Sequence, residues 1–171
     1  MAAKSSQPQE DVRRQLTLWV LVTAESAAIE PAQALRYFEE AFIAPHIAPT
    51  ANEKTPFFAV ERFEDYLPTP EAWAGIRERV QQAVLFVGDN RTPIDANITK
   101  ASPRWRIERM PIIDRTLLRM GVAEFMSPSP RPRATLNGLI ELAKKFGNDT
   151  TPGFINGILD QIRRNLDIPF A

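Results

Sequence analysis

The sequence has no cysteine and only one histidine in 171 residues. Without cysteine there is no disulfide, no thiolate metal ligand and no thiol nucleophile. His46 stands in a proline-rich stretch with no partner residue nearby, so no Ser-His-Asp or Cys-His arrangement can be built. It reads as a structural or exposed residue. Long hydrophobic runs are missing too. The first apolar run, 16–24, is interrupted by Thr17 and Thr23 and followed by Glu25, which is too short for a membrane span. Residues 1–9 are polar and carry no targeting pattern. Glycine is scarce at seven residues, and neither the G-x-x-x-x-G-K-[ST] nor the G-x-G-x-x-G phosphate motif occurs. The acidic pairs Glu39–Glu40 and Glu64–Asp65 are adjacent residues that point to different sides of a helix, a poor arrangement for chelation. The expectation is a cytoplasmic protein with no metal, no cofactor, no membrane partner and no catalytic centre.

Net charge is also absent, since 21 basic residues balance 21 acidic ones, but the charges are unevenly spread. Residues 91–119 hold seven cations against three acids, and 131–164 hold six against three. Residues 1–44 hold four against six, and 53–78 three against six. The C-terminal half is therefore mildly basic, a charge sign suited to RNA phosphates or simply to solvated helix faces.

The hydrophobic fraction, 44%, is enough for a core without metal or disulfide support. It is arranged at helical spacing, alternating β-branched runs are missing, and no repeat of 20–50 residues is present, so the fold class is all-α. A first helix is expected over 10–28, apolar on more than one side through Leu16, Leu18, Val20 and Leu21. A second starts at Pro31 and runs to about residue 44, with Leu35, Phe38 and Phe42 inward. Residues 45–69, with Pro45, Pro49, Pro56 and Pro68, read as an insertion or extended connection. Thr69-Pro70-Glu71 is a helix start followed by Trp73, Ile76, Val80, Val84 and Val87. Further helices follow Thr92-Pro93, span 110–125, span 133–146 and begin at Thr151-Pro152. Asp114 and Arg119 lie among apolar residues: Asp114 is expected to pair with a nearby arginine, and Arg119 with an acid or a helix C-terminus. Asn137 and Asn156 are expected as buried amides, and Phe146 and Phe154 as core residues.

Three ordered stretches carry more specific information. The first has Trp105, Arg109, Asp114, Arg115, Leu118 and Arg119 in the pattern W-x-x-x-R…D-R-x-x-L-R. The second, 136–147, reads L-N-G-L-I-E-L-A-K-K-F-G, and the third, 154–160, reads F-I-N-G-I-L-D. With the upstream segment 83–88 and Ile94-Asp95, these resemble the NusB family in order and gaps over about residues 83–162. The resemblance implies two packed three-helix-bundle subdomains, expected here over 10–80 and 81–166. A flexible stretch, 1–9, would precede them, with the Pro-rich insertion near 45–69 and a tail over 167–171.

The resemblance also implies a non-enzymatic adaptor in transcription antitermination. Such an adaptor binds a boxA-like RNA leader element together with a NusE-type small-subunit ribosomal protein, and acts indirectly on RNA polymerase at rRNA operons. The RNA-facing candidates are Arg13, Arg14, Lys100, Arg104, Arg106, Lys144 and Lys145; the protein-partner candidates are Glu108, Arg109, Phe154 and Asn156. There are departures from the family pattern. Where the family starts with an arginine-rich run, this chain has Glu10-Asp11-Val12-Arg13-Arg14, and Val22 and Ala101 stand where the family has tyrosines. Those changes favour a second reading, a NusB-fold protein-interaction module without specific RNA binding. The same fold also precedes the catalytic domain of rRNA cytosine-5 methyltransferases, which a cysteine-free chain of this length is not expected to carry.

Overall fold

The computed structural model describes residues 6–44 and 68–170. The Pro-rich segment over 45–67, with His46 and Glu64–Asp65, lies outside the described residues, as do residues 1–5. Seven α-helices are found among the described residues, and no strand: α1 Ser6–Ala27, α2 Pro31–Phe38, α3 Pro70–Asp89, α4 Arg91–Ala101, α5 Ile112–Phe125, α6 Pro132–Phe146 and α7 Thr151–Asn165. No helix among them is long and apolar enough to cross a membrane. The chain divides into two compact units, Met1–Val84 and Leu85–Ala171.

In the first unit, α1 begins at Ser6, four residues before the expected start. Pro8 does not prevent this, because a first-turn proline has no intrahelical hydrogen bond to lose. Leu16, Thr17, Leu18, Val20 and Leu21 are all buried, so α1 is covered on more than one side, as its apolar pattern implies. It packs on α2, where Trp19 meets Phe38 with ring centroids 6.5 Å apart. Beyond Phe38 the α-helix gives way to a π-helical segment, Glu39–Ile43. Phe42 there stacks on Phe38 at 5.5 Å and meets Tyr37 edge-on at 6.1 Å. Arg77 of α3 holds this segment through Glu39, with its Nε and Nη2 donating at 2.6 and 3.1 Å. The start of α3 follows the sequence signal: the Thr69 hydroxyl accepts from the Ala72 amide at 3.3 Å, and Pro70 takes the first position.

The second unit holds α4 to α7. Helices α5 and α7 each pack on the other three, so Ile94, Ile98, Leu117, Leu118, Leu139, Ile155, Leu159 and Ile162 are fully enclosed. Gly121 of α5 faces two leucines at close range. A Cβ built there would lie 2.5 and 2.7 Å from the two methyls of Leu159 and 3.0 Å from a methyl of Leu139. Polar cross-links fasten the same helices. The Thr135 hydroxyl of α6 donates to Glu124 of α5 at 2.6 Å, and the Thr151 hydroxyl of α7 donates to Asp114 of α5 at 2.9 Å. Asn148 caps the start of α7, its Oδ1 accepting from the Thr150 and Thr151 amides at 2.9 and 3.2 Å.

Several expectations change at this level. Asp114, 6% exposed, is satisfied by Thr151 and not by an arginine. Arg115 turns instead to the Met110 carbonyl, at 2.6 Å. Asn137 and Asn156 are exposed rather than buried amides: the buried positions of α6 include Thr135, Leu136, Gly138 and Leu139, and those of α7 are Thr151, Ile155, Leu159 and Ile162, which leaves both asparagines out of phase with the core stripe. Phe146 and Phe154 are half-buried rather than core residues. Arg119 does find an acid. It is 4% exposed, and its Nε and Nη2 donate to the two oxygens of Asp95 at 2.7 and 3.1 Å, tying α5 to α4.

Removing Asp95 would take the carboxylate away from that buried guanidinium. The Asp95→Ala variant is expected to lose about 3 kcal/mol of stability in urea unfolding, at the low end of the range for a broken buried pair because Asp95 itself is partly exposed. Adding Arg119→Met to that variant should recover most of the loss. A single variant as stable as the parent protein would show that the pair does not hold α4 to α5.

Candidate nucleic-acid and partner interface

The sequence-derived candidates fall into two groups of different electrostatic character. In the first unit, Arg13 and Arg14 are 8% and 3% exposed. Glu10 gathers the local guanidiniums: Arg13 donates Nε at 2.6 Å and bridges it again through Nη2, Arg14 approaches at 3.8 Å, and Arg79 of α3 donates at 3.0 Å. Asp11 lies 4.0 Å from Arg14. Both arginines of α1 are thus largely enclosed and close to acids in this conformation, with little of either guanidinium in solvent. Val22, at one of the positions where the sequence departs from its family, is half-buried.

The candidate cations of the second unit are exposed. Lys100 ends α4, and Arg104 and Arg106 lie in the connection to α5; all three are exposed. Neither Lys100 nor Arg104 meets a carboxylate among the described residues, and Arg106 meets only Glu108, at 3.5 Å with both side chains in solvent. Such an exposed pair is weak. A 3-10 turn, Ile107–Arg109, follows, anchored by buried Ile107 and leaving Glu108 and Arg109 exposed. The RNA-facing candidates Arg104 and Arg106 and the protein-partner candidates Glu108 and Arg109 therefore share one short segment. The Trp105 ring meets Phe154 of α7 edge-on with centroids 6.0 Å apart, which brings a third partner candidate to that segment. Asn156, two residues along α7, is exposed. Lys144 and Lys145 are exposed in the last turn of α6, and Lys144 is held by Glu141 at 2.7 Å.

The sequence reading missed Glu10 as the group that ties down three arginines, and gave Trp105 no role beyond its motif. The signal for the first was an acid three residues before Arg13 and four before Arg14. For the second it was an aromatic between two arginines just after a Ser-Pro turn. Among the described residues no group of three or more His, Cys, Asp or Glu side chains is placed to hold a metal.

The NusB family model matches residues 50–164, more than half of the chain. The chain belongs to the NusB family. Relatives named transcription antitermination protein NusB include that of Sorangium cellulosum, 41% identical over 53% of this chain and 65% of the relative. The Heliobacterium modesticaldum protein is 35% identical over 90% of this chain and 61% of the relative. The Geobacter sulfurreducens protein is 45% identical over 57% of this chain and 70% of the relative. The match thus spans slightly under two thirds of the length of the first two relatives. Among solved structures, a complex of the antitermination factors NusB and NusE with double-stranded RNA superposes with a TM-score of 0.68 at 20% identity, over 92% of this chain and 98% of that one. A chain in the structure of a plectonemic RNA supercoil superposes with a TM-score of 0.70, also at 20% identity, over 94% and 97%. The all-helical fold is that of NusB.

Two outcomes follow from the ion pairs of this NusB-family chain. Glu10→Gln removes the acid shared by Arg13, Arg14 and Arg79, so affinity for a polyanion, RNA or heparin, should rise and its salt slope steepen by about one. An unchanged salt slope in a titration series would show that these arginines never reach the polyanion. Asp160 of α7 offers a pH readout. Its partial burial pushes its carboxyl pKa up, but the hydrogen bonds and charges of Arg163 and Arg164 outweigh this and hold it below the usual aspartate range. A depressed folded-state pKa means stability that is complete above the unfolded-state value and lost as pH falls through the folded one. Asp160→Asn should therefore cost less than about 1 kcal/mol near neutral pH, and the difference should disappear in acid well below about pH 3.9.

Proposed function

We propose that this chain is a NusB-type transcription antitermination factor. It binds a boxA-like RNA element together with a NusE-type small-subunit ribosomal protein, and so modulates RNA polymerase on rRNA operons. It does so in the cytoplasm, as an adaptor with no catalytic step. The observation that carries this reading is the exposed basic segment at 100–109 in a chain that belongs to the NusB family. Lys100, Arg104 and Arg106 present guanidinium and ammonium groups with little intramolecular competition, which is what phosphate binding requires. Glu108 and Arg109, with Phe154 and Asn156 on α7, offer a mixed polar and aromatic surface for the protein partner. Lys144 and Lys145 extend the basic character of the unit. In this proposal Arg13 and Arg14 contribute to RNA only when freed from Glu10. The enclosure of Arg13 and Arg14 favours a second reading, a NusB-fold module that binds its protein partner without specific RNA recognition.

The two readings separate in one titration. A labelled boxA RNA is titrated with the full chain and followed by fluorescence anisotropy, at two salt concentrations, with and without the NusE-type protein from the same source. Salt-sensitive binding that the partner strengthens is the expected result. Binding of the ribosomal protein with no RNA affinity in any condition would leave the second reading.

A further inference from the structure

We propose that Trp105 is a stacking platform for an unpaired base of single-stranded RNA, with Lys100 and Arg104 holding the flanking phosphates. This deepens the RNA-binding reading above and rests on it. Trp105 is 62% exposed, the most exposed of the large apolar side chains among the described residues. With exposed cations on either side of it, the indole presents a flat apolar face to solvent within a basic surface.

The indole is also held in place before any ligand arrives. Ser102, buried at the end of α4, donates its hydroxyl to the Ile98 carbonyl at 2.8 Å, and the Trp105 amide donates to the Ser102 carbonyl at 2.9 Å. The ring then rests edge-on against Phe154. Turn and buttress together fix the side chain while most of its surface stays open, so little conformational entropy is lost on stacking.

The charge around the ring selects the class of ligand. Over residues 100–109 four cations, Lys100, Arg104, Arg106 and Arg109, face a single acid, Glu108. An acidic backbone with exposed flat faces fits this combination, and single-stranded RNA supplies both. Its bases are free to unstack onto an aromatic ring while its phosphates track the basic groups. A duplex keeps its bases stacked internally and offers Trp105 nothing comparable. Of the other tryptophans, Trp73 is buried and Trp19 half-buried, so Trp105 is also the natural fluorescent reporter of its own occupancy.

The test uses the full chain with a single-stranded boxA RNA and the same sequence as a blunt duplex. Single-stranded RNA should quench the tryptophan emission of the wild-type protein. Trp105→Ala should weaken single-stranded binding about tenfold or more with an unchanged salt slope, and leave duplex binding as it was. Trp105→Phe should recover most of the affinity. Lys100→Gln and Arg104→Gln should each reduce the salt slope by about one. Tyr37→Ala, an exposed aromatic of the first unit, serves as the control that changes nothing, and thermal melts verify that each variant folds. If Trp105→Ala binds single-stranded RNA as the wild type does, stacking is overturned while the adaptor function stands. If that variant keeps its RNA affinity and loses the ribosomal protein, the ring is a protein contact and the proposal falls. If the wild type binds no RNA at all, the RNA reading itself falls and takes this inference with it.

Discussion

A guanidinium cannot sit at 4% exposure between packed helices unless a carboxylate comes with it. Arg119 meets that requirement through a two-pronged bond to Asp95. The consequence reaches beyond the pair. Asp95 lies in the first half of α4 and Arg119 in the middle of α5, so their union fixes how these two helices run side by side. The chain between them, residues 102–111, must then close a gap of set length. Buried Ser102 anchors one end of that connection, and Ile107 and Met110 anchor the other. Between these anchors the side chains of Arg104, Trp105 and Arg106 have nowhere to go but outward. The exposed segment thus sits between two helices that a buried ion pair holds together.

The cations near Glu10 and those near Trp105 stand in different surroundings. Around Glu10 three guanidiniums converge on one acid, and two of them are enclosed. Around Trp105 the cations are exposed, and the one ion pair there, Arg106 with Glu108, lies in solvent. Paired arginines add rigidity and little external field, while unpaired ones project potential into solvent over roughly a Debye length, about 8–10 Å in physiological salt. A net charge of zero for the chain as a whole therefore says nothing about its ability to attract a polyanion; the attraction is local.

The helices were legible because each apolar stripe repeats at helical spacing and most are bounded by Pro, Thr or Gly. Thr69-Pro70 and Thr151-Pro152 mark starts that the structure reproduces. Less legible was anything that depends on a distant partner. That Arg119 is paired could be argued from cost alone, but that its partner is Asp95, 24 residues away, could not. Asp114 was assigned to an arginine because one follows it directly, and the fold instead brings Thr151 from 37 residues away. The π-helical insertion after Phe38 leaves no mark in the apolar pattern. Asn137 and Asn156 are a different kind of miss, since counting helical phase from Leu139 and Ile155 places both on the outer face. For the candidate site, the residue types and their clustering were readable, but exposure was not. Trp73 starts an apolar stripe and is buried, whereas Trp105 stands between two arginines after a Ser-Pro turn and is open; the contrast is in the sequence, but the degree of exposure is not.

Gly121 sets the distance between α5 and α7 by having no side chain, with the methyls of Leu159 and Leu139 already where a Cβ would go. That makes three positions on three helices into one evolutionary unit. Added volume at 121 is tolerable only with volume removed at 159 or 139, and a change at either leucine opens a void that 121 alone can fill. Within the family these positions should drift together or not at all, so their joint substitution pattern measures how far a given lineage has moved its helices, independent of anything that happens on the RNA-facing surface.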